Sequence, residues 1–286
     1  MTALEGLLAP LRHAFMVRAL IASVLVGGLC SVVGAFVVLR SMAFLGDAIA
    51  HSVLPGIATG MLVAGRGDRR SLFWWALGTS ILVALGIGWV SRRGRIREQT
   101  AIGIVFAGTF ALGIALLSRV RGFAIDLVHV LFGNVLGVSS GDLILIAAFG
   151  AGVLLLVALF YKELLVVSFD RTHAATLRLP VSVYESLTLI LVAVTVVVSL
   201  QVVGLALTLA LLVAPPTTAL LFVRRVPRVM GVGAAIGAAS GIAGLYLSYY
   251  LDVASGAAIV LVAIAFFLLA LLATSYRKTA RRRSRA

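Results

Sequence analysis

Charged side chains are scarce in this chain. Only 12% of its 286 residues are Asp, Glu, Lys or Arg, against about 25% in typical globular proteins. That shortage excludes a water-soluble fold, because too few charges remain to dress a solvated surface. Cysteine is nearly absent: Cys30 stands alone, so no internal disulfide is possible. Several catalytic signatures are missing as well. The sequence has no GxxxxGK[ST] phosphate loop, no HExxH and no GxSxG, which argues against ATP hydrolysis by the P-loop route and against the common membrane metalloproteases and serine hydrolases.

What is present is apolar. Hydrophobic residues make up 62% of the chain, and the mean hydropathy is +1.16. The apolar runs are continuous rather than alternating, and 29 glycines accompany them. Both features predict an all-α polytopic helical bundle, in which small residues let helices approach closely, and not a barrel.

A crossing helix needs about 20 apolar residues. Candidate runs fall at 19–39, 42–64, 72–90, 99–118, 142–160, 183–202, 204–223, 229–250 and 256–274, giving eight or nine transmembrane helices. Between 183 and 223 only Gln201 and Gly204 mark a turn, and Pro215 and Pro216 remove backbone donors there, which predicts a broken or kinked helix. Arg12 and Arg18 precede the first run, but no cleavage site follows, and an uncleaved first helix is expected.

The net charge of +14 comes from short basic clusters that flank the runs. This is the pattern of a topology signal and not of nucleic-acid binding. With the arginine-rich tail inside, counting back places Arg224 to Arg228, residues 161–181 and Arg92 to Arg97 in the cytoplasm, and leaves Arg66, Arg69, Arg70, Arg119 and Arg121 outside. Nine spans put the N-terminus outside. No strong internal repeat or linker appears, so residues 1–286 are expected to form one membrane domain. Its core covers about 10–275, and 276–286 form a basic cytoplasmic tail.

Ionisable residues inside spans are costly, and each is a functional candidate. Asp47 and His51 stand one helical turn apart on the same face. A carboxylate and an imidazole so placed make half of a first-row metal site, or a proton-handling pair; the same spacing also suits a hydrogen-bonded lock between helices. Asp126 and His129 share a face in the same way, near the outer surface, where solvated or capping roles compete with metal binding. His13 and His173 have no partner at useful spacing. In the longest cytoplasmic connection, Ser168 or Asp170 suits the cap of a short helix running through Arg178, closed by Pro180, with Phe169 as an apolar anchor for a partner. An ordinary amphipathic loop helix would look the same.

These residues together resemble a family. Arg40-Ser41-Met42 followed by Gly46-Asp47-Ala48-Ile49-Ala50-His51-Ser52-Val53-Leu54-Pro55-Gly56 is similar to the signature of zinc/manganese/iron ABC importer permeases. The likeness continues through Phe132 to Gly137, Ser168-Phe169-Asp170, Val203-Gly204, Leu211 to Ala219, Gly244 to Tyr249 and Ser255-Gly256-Ala257. It implies a multi-pass permease of the cell (inner) membrane that forms a homodimer. Cytoplasmic ATP-binding subunits would dock on each copy, and an extracytoplasmic protein would deliver the metal.

The resemblance further implies that Asp47 and His51 coordinate the passing ion, with no permanently bound cofactor. The coupling helix would lie within Phe169 to Leu179, with Ser168, Phe169, Asp170, Ala174, Leu177 and Arg178 facing the ATPase. The chain departs from the family pattern at Arg178, where a small residue, often glycine, is expected, and at His129. The expected function is import of zinc, manganese or iron powered by ATP hydrolysis on another subunit, so the chain itself is not an enzyme. The alternatives are an ion-gradient-driven secondary transporter that uses Asp47 and His51 as a relay, and a membrane enzyme with His51 as base.

Overall fold

The computed structural model describes residues 10–64, 69–119 and 135–283. Asp126 and His129 lie outside the described residues, as do Arg66 and Arg121. Among the described residues the chain is all-helical, with no strand. The helices are α1 (Ala14–Leu39), α2 (Phe44–Ala64), α3 (Arg69–Gly94), α4 (Glu98–Leu117), α5 (Ser140–Leu159), α6 (Tyr161–Phe169), α7 (Arg171–Thr176), α8 (Val181–Val203), α9 (Leu205–Phe222), α10 (Val226–Leu251) and α11 (Ser255–Arg283). Short 3-10 turns precede α1 and α5.

Each of the nine expected runs coincides with one long helix, and eight are long and apolar enough to cross a bilayer. The ninth is α2, whose apolar sequence is interrupted by Asp47, His51 and Pro55. Local chemistry sets the ends of the shorter elements. Ser139 and Asp142 form a reciprocal capping box at the start of α5. Asp170 caps α7 by accepting the amides of Thr172 at 2.8 Å and His173 at 2.9 Å.

In a bilayer every helix is apolar, so packing follows small residues and not amphipathic stripes. The innermost helices are α1 and α8, with 67% of the most apolar stretch of each buried, against 17% for α4. At the crossing of α1 and α10, Gly27 meets Gly237 so closely that a Cβ on Gly27 would fall 2.7 Å from the Gly237 carbonyl carbon. Ser23 and Ser31, one turn to either side on α1, return their hydroxyls to the Ala19 and Gly27 carbonyls at 2.8 and 2.6 Å and leave no unpaired polar atom at the seam.

The 183–223 region breaks at Gly204, not at its prolines. Gly204 has φ 84 and ψ 173, a conformation closed to side-chain-bearing residues, and this separates α8 from α9. Helix α9 then runs continuously through Pro215 and Pro216. The two prolines strip the Leu211 and Leu212 carbonyls of their helical donors. The Leu212 carbonyl turns against Gly34 of α1, where a Cβ would overlap it. Close packing on α1 thus replaces what a break would have relieved.

Candidate metal pair and coupling segment

Chain reversal after α1 places the pair. Met42 donates to the Val37 carbonyl at 2.9 Å, Ser41 takes the left-handed region with φ 56, and Leu45 donates to Met42 at 2.9 Å as α2 begins. Asp47 lies in the first turn of α2 and His51 in the next. His51 Nε2 stands 3.5 Å from Asp47 Oδ1, and the side chains are 26% and 28% exposed. That separation is long for a strong hydrogen bond. Neither side chain hydrogen-bonds to a second helix among the described residues.

One wall of the pair is aromatic. The His51 ring packs edge-on against Phe110 with centroids 5.3 Å apart, and lies 5.7 Å from Phe106; both come from α4. Pro55, one turn further along α2, has no N–H to give the His51 carbonyl and packs its Cδ where a Cβ on Gly113 of α4 would stand 2.8 Å away. No cluster of three or more His, Cys, Asp or Glu occurs among the described residues. The described residues therefore offer a carboxylate and an imidazole, half-open to their surroundings.

The segment expected to couple to an ATPase differs in detail from the expectation. Asp170 is its cap, while Ser168 lies inside α6 and donates its hydroxyl to the Leu164 carbonyl at 2.6 Å. The short helix stops at Thr176, not at Arg178, because Arg178 turns left-handed with φ 57. The glycine expected there has its physical reason in that angle. Ala174 is buried and anchors the segment; Phe169 and Leu177 project outward, 64% and 53% exposed.

Beside this segment lies an ionic cluster that reading the sequence missed. Arg40 Nη2 sits 2.6 Å from Glu98 Oε1, and the same oxygen pairs with Arg171 Nη2. Arg171 Nε is 2.6 Å from Glu185 Oε1, and Arg40 and Arg92 each approach Glu185 to 3.9 Å. The signal available was the lone carboxylates Glu98 and Glu185, each close to the start of an apolar run. A cavity of about 590 Å³ adjoins the cluster, lined by Arg40, Ser41, Arg97, Phe169 and Asp170 among others.

Known proteins share this architecture. The chain matches the ABC 3 transport family over residues 12–274. It is 44% identical over 260 residues to the manganese transport system membrane protein MntC of Halalkalibacterium halodurans, covering 91% of this chain and 87% of that protein. It is 38% identical over 267 residues to a Haemophilus influenzae protein named "Probable iron transport system membrane protein", covering 93% and 96%. Among solved structures, PsaBC from Streptococcus pneumoniae in complex with Fab superimposes with a TM-score of 0.79 at 35% identity, covering 93% of this chain and 94% of that one. With eight bilayer-length apolar helices and a family match that runs nearly end to end, this is a multi-pass protein of the cell membrane, and the chain belongs to the ABC 3 transport family.

Proposed function

We propose that this chain is the membrane permease of an ABC importer that carries a divalent first-row metal ion into the cytoplasm, with ATP hydrolysis on a separate subunit. The observation that carries the reading is the half-open Asp47–His51 pair on α2. Carboxylate oxygen and imidazole nitrogen suit manganese, ferrous iron and zinc. The names of the relatives favour manganese or iron.

Two donors are too few for a coordination shell, and a second copy of the chain across a twofold axis would supply two more. Ile104, Leu112 and Ile114 stay more than half exposed on the helix that walls the pair, an apolar face fit for a like surface or for lipid. A site divided between two copies captures the ion weakly and releases it when the copies shift, as transport requires. The metal is cargo; no resident cofactor is invoked.

At the cytoplasmic end, Phe169 and Leu177 are the apolar contacts offered to an ATP-binding subunit, and Asp170, Ala174 and Arg178 shape the segment that presents them. An extracytoplasmic binding protein would deliver the ion at the other end.

The test is metal uptake into vesicles holding the permease, its ATPase and its binding protein. Manganese, ferrous iron and zinc are compared with and without ATP. ATP-dependent accumulation that Asp47→Ala and His51→Ala abolish, with the complex still assembled, is the expected result. Uptake that ignores ATP and follows a proton gradient would replace the importer with a secondary carrier.

A further inference from the structure

The proposed function leaves one question open: how movement of the coupling segment reaches a metal pair carried on a different helix. The ionic cluster joins the two. Arg171 is the first residue of α7, directly after the Asp170 cap, and its guanidinium contacts both Glu98 and Glu185. Glu98 opens α4 and also holds Arg40, the last residue before the turn into α2. Gln99 adds a second tie by donating to the Ser41 carbonyl at 2.8 Å. The coupling segment, the start of α4 and the α1–α2 turn are thus bridged by two carboxylates.

The burial of the members makes the bridge consequential. The Arg40 and Glu185 side chains are only 4% and 6% exposed, while Arg171 is 52% exposed. A buried charge stripped of its partner is strongly unfavourable, so Glu185 cannot simply be abandoned when α7 withdraws. Replacement cations are already close: Arg40 and Arg92 stand 3.9 Å from its two oxygens. Glu185 therefore has Arg171 in direct contact and two further cations within ion-pair distance, and of the three only Arg171 belongs to α7.

We infer that Arg171, Glu185, Glu98 and Arg40 form an exchangeable ionic link through which displacement of α7 shifts the α1–α2 turn, and with it Asp47 and His51. This inference rests on the proposed function. While α7 is docked as seen here, Arg171 occupies Glu98 and Glu185. When α7 moves away, Arg40 and Arg92 close on Glu185, and the turn that begins α2 follows Arg40. The four are positioning residues, since none touches the metal.

The test uses the reconstituted complex of permease, ATPase and binding protein, loaded with manganous chloride, and reads two quantities: ATP hydrolysed and metal accumulated. Glu185→Gln and Arg171→Gln are each expected to lower metal moved per ATP about tenfold while hydrolysis continues. The double variant should be no worse than the poorer single, because both remove the same link. Should Glu185→Gln fail to assemble, Glu98→Gln, at a more exposed position, tests the same bridge.

A merely structural role would lower the yield of assembled complex and leave metal per ATP unchanged, which would overturn the link alone. Additive losses in the double variant would overturn it too. Wild-type uptake that ignores ATP would overturn the functional reading, and the link with it.

Discussion

Arg171 Nε lies 2.6 Å from Glu185 Oε1, so a half-exposed arginine of the coupling segment is held by a carboxylate buried near the start of α8. The two ends of this pair differ in surroundings, and so should the cost of removing them. Arg171→Gln leaves Glu98 with Arg40 and Glu185 with Arg40 and Arg92 nearby, and should cost less than about 1 kcal/mol. Arg40→Gln removes a nearly fully buried cation from between two carboxylates and should cost about 3 kcal/mol. Cys30 supplies the measurement: it is the only cysteine and is fully buried, so its labelling by a thiol dye during heating in detergent reports unfolding. Equal melting temperatures for the two variants would contradict the assignment.

The helical bundle and the juxtaposition of Asp47 and His51 were legible in the sequence for different reasons. Continuous apolar runs fix crossing helices because lipid demands internally bonded backbone, and nine runs became nine long helices. Asp47 and His51 stood out because ionisable residues are rare where they lie. The ionic cluster was not legible, because Arg40, Glu98, Arg171 and Glu185 come from four separate parts of the chain and only the tertiary fold brings them together. The continuity of α9 through Pro215 and Pro216 was hidden for a similar reason: it depends on Gly34 of α1 admitting the Leu212 carbonyl.

Arg178 should be improvable. With φ 57 it occupies a backbone region that costs a non-glycine residue about 1 kcal/mol. Its side chain is exposed at the end of the coupling segment, and no hydrogen bond or ion pair of that side chain offsets the strain among the described residues. Arg178→Gly should therefore raise stability by somewhat under that amount, after allowing for the greater freedom glycine gives the unfolded chain. Cys30 labelling on heating is again the assay. A lower melting temperature would show that the arginine contributes more than the backbone strain removes.

At the crossing of α1 and α10, Gly237 has no room for a side chain. A Cβ on Gly237 would fall 2.7 Å from the Gly27 carbonyl oxygen and 2.8 Å from Ser31 Oγ, and a backbone atom cannot rotate away. Gly237→Ala should force the helices apart at a cost of about 2 kcal/mol. Gly28, the neighbour of Gly27, faces open space, so Gly28→Ala should be neutral or slightly stabilising. The contrast between Gly237→Ala and Gly28→Ala, read as yield of folded protein and melting temperature, checks the seam. A cost for Gly28→Ala as large as for Gly237→Ala would mean that general helix tolerance, and not this contact, sets the result.

Phe110 tests whether the pair must be held in one orientation to act. Its ring meets the His51 imidazole edge-on at a centroid separation of 5.3 Å, while Phe106 stacks beside it at 5.7 Å. Such aromatic contacts contribute about 1 kcal/mol beyond their buried area. Without Phe110, His51 gains freedom to leave the rotamer that keeps Nε2 beside Asp47 Oδ1, so metal capture weakens although both donors remain. Phe110→Ala should raise the half-saturating metal concentration for uptake by about fivefold, which is that 1 kcal/mol expressed as an equilibrium ratio, with the maximal rate largely kept. Phe110→Leu restores bulk without the ring edge and should fall between the two. A loss confined to maximal rate, with half-saturation unchanged, would move Phe110 from holding the imidazole to shaping the path along which the ion leaves.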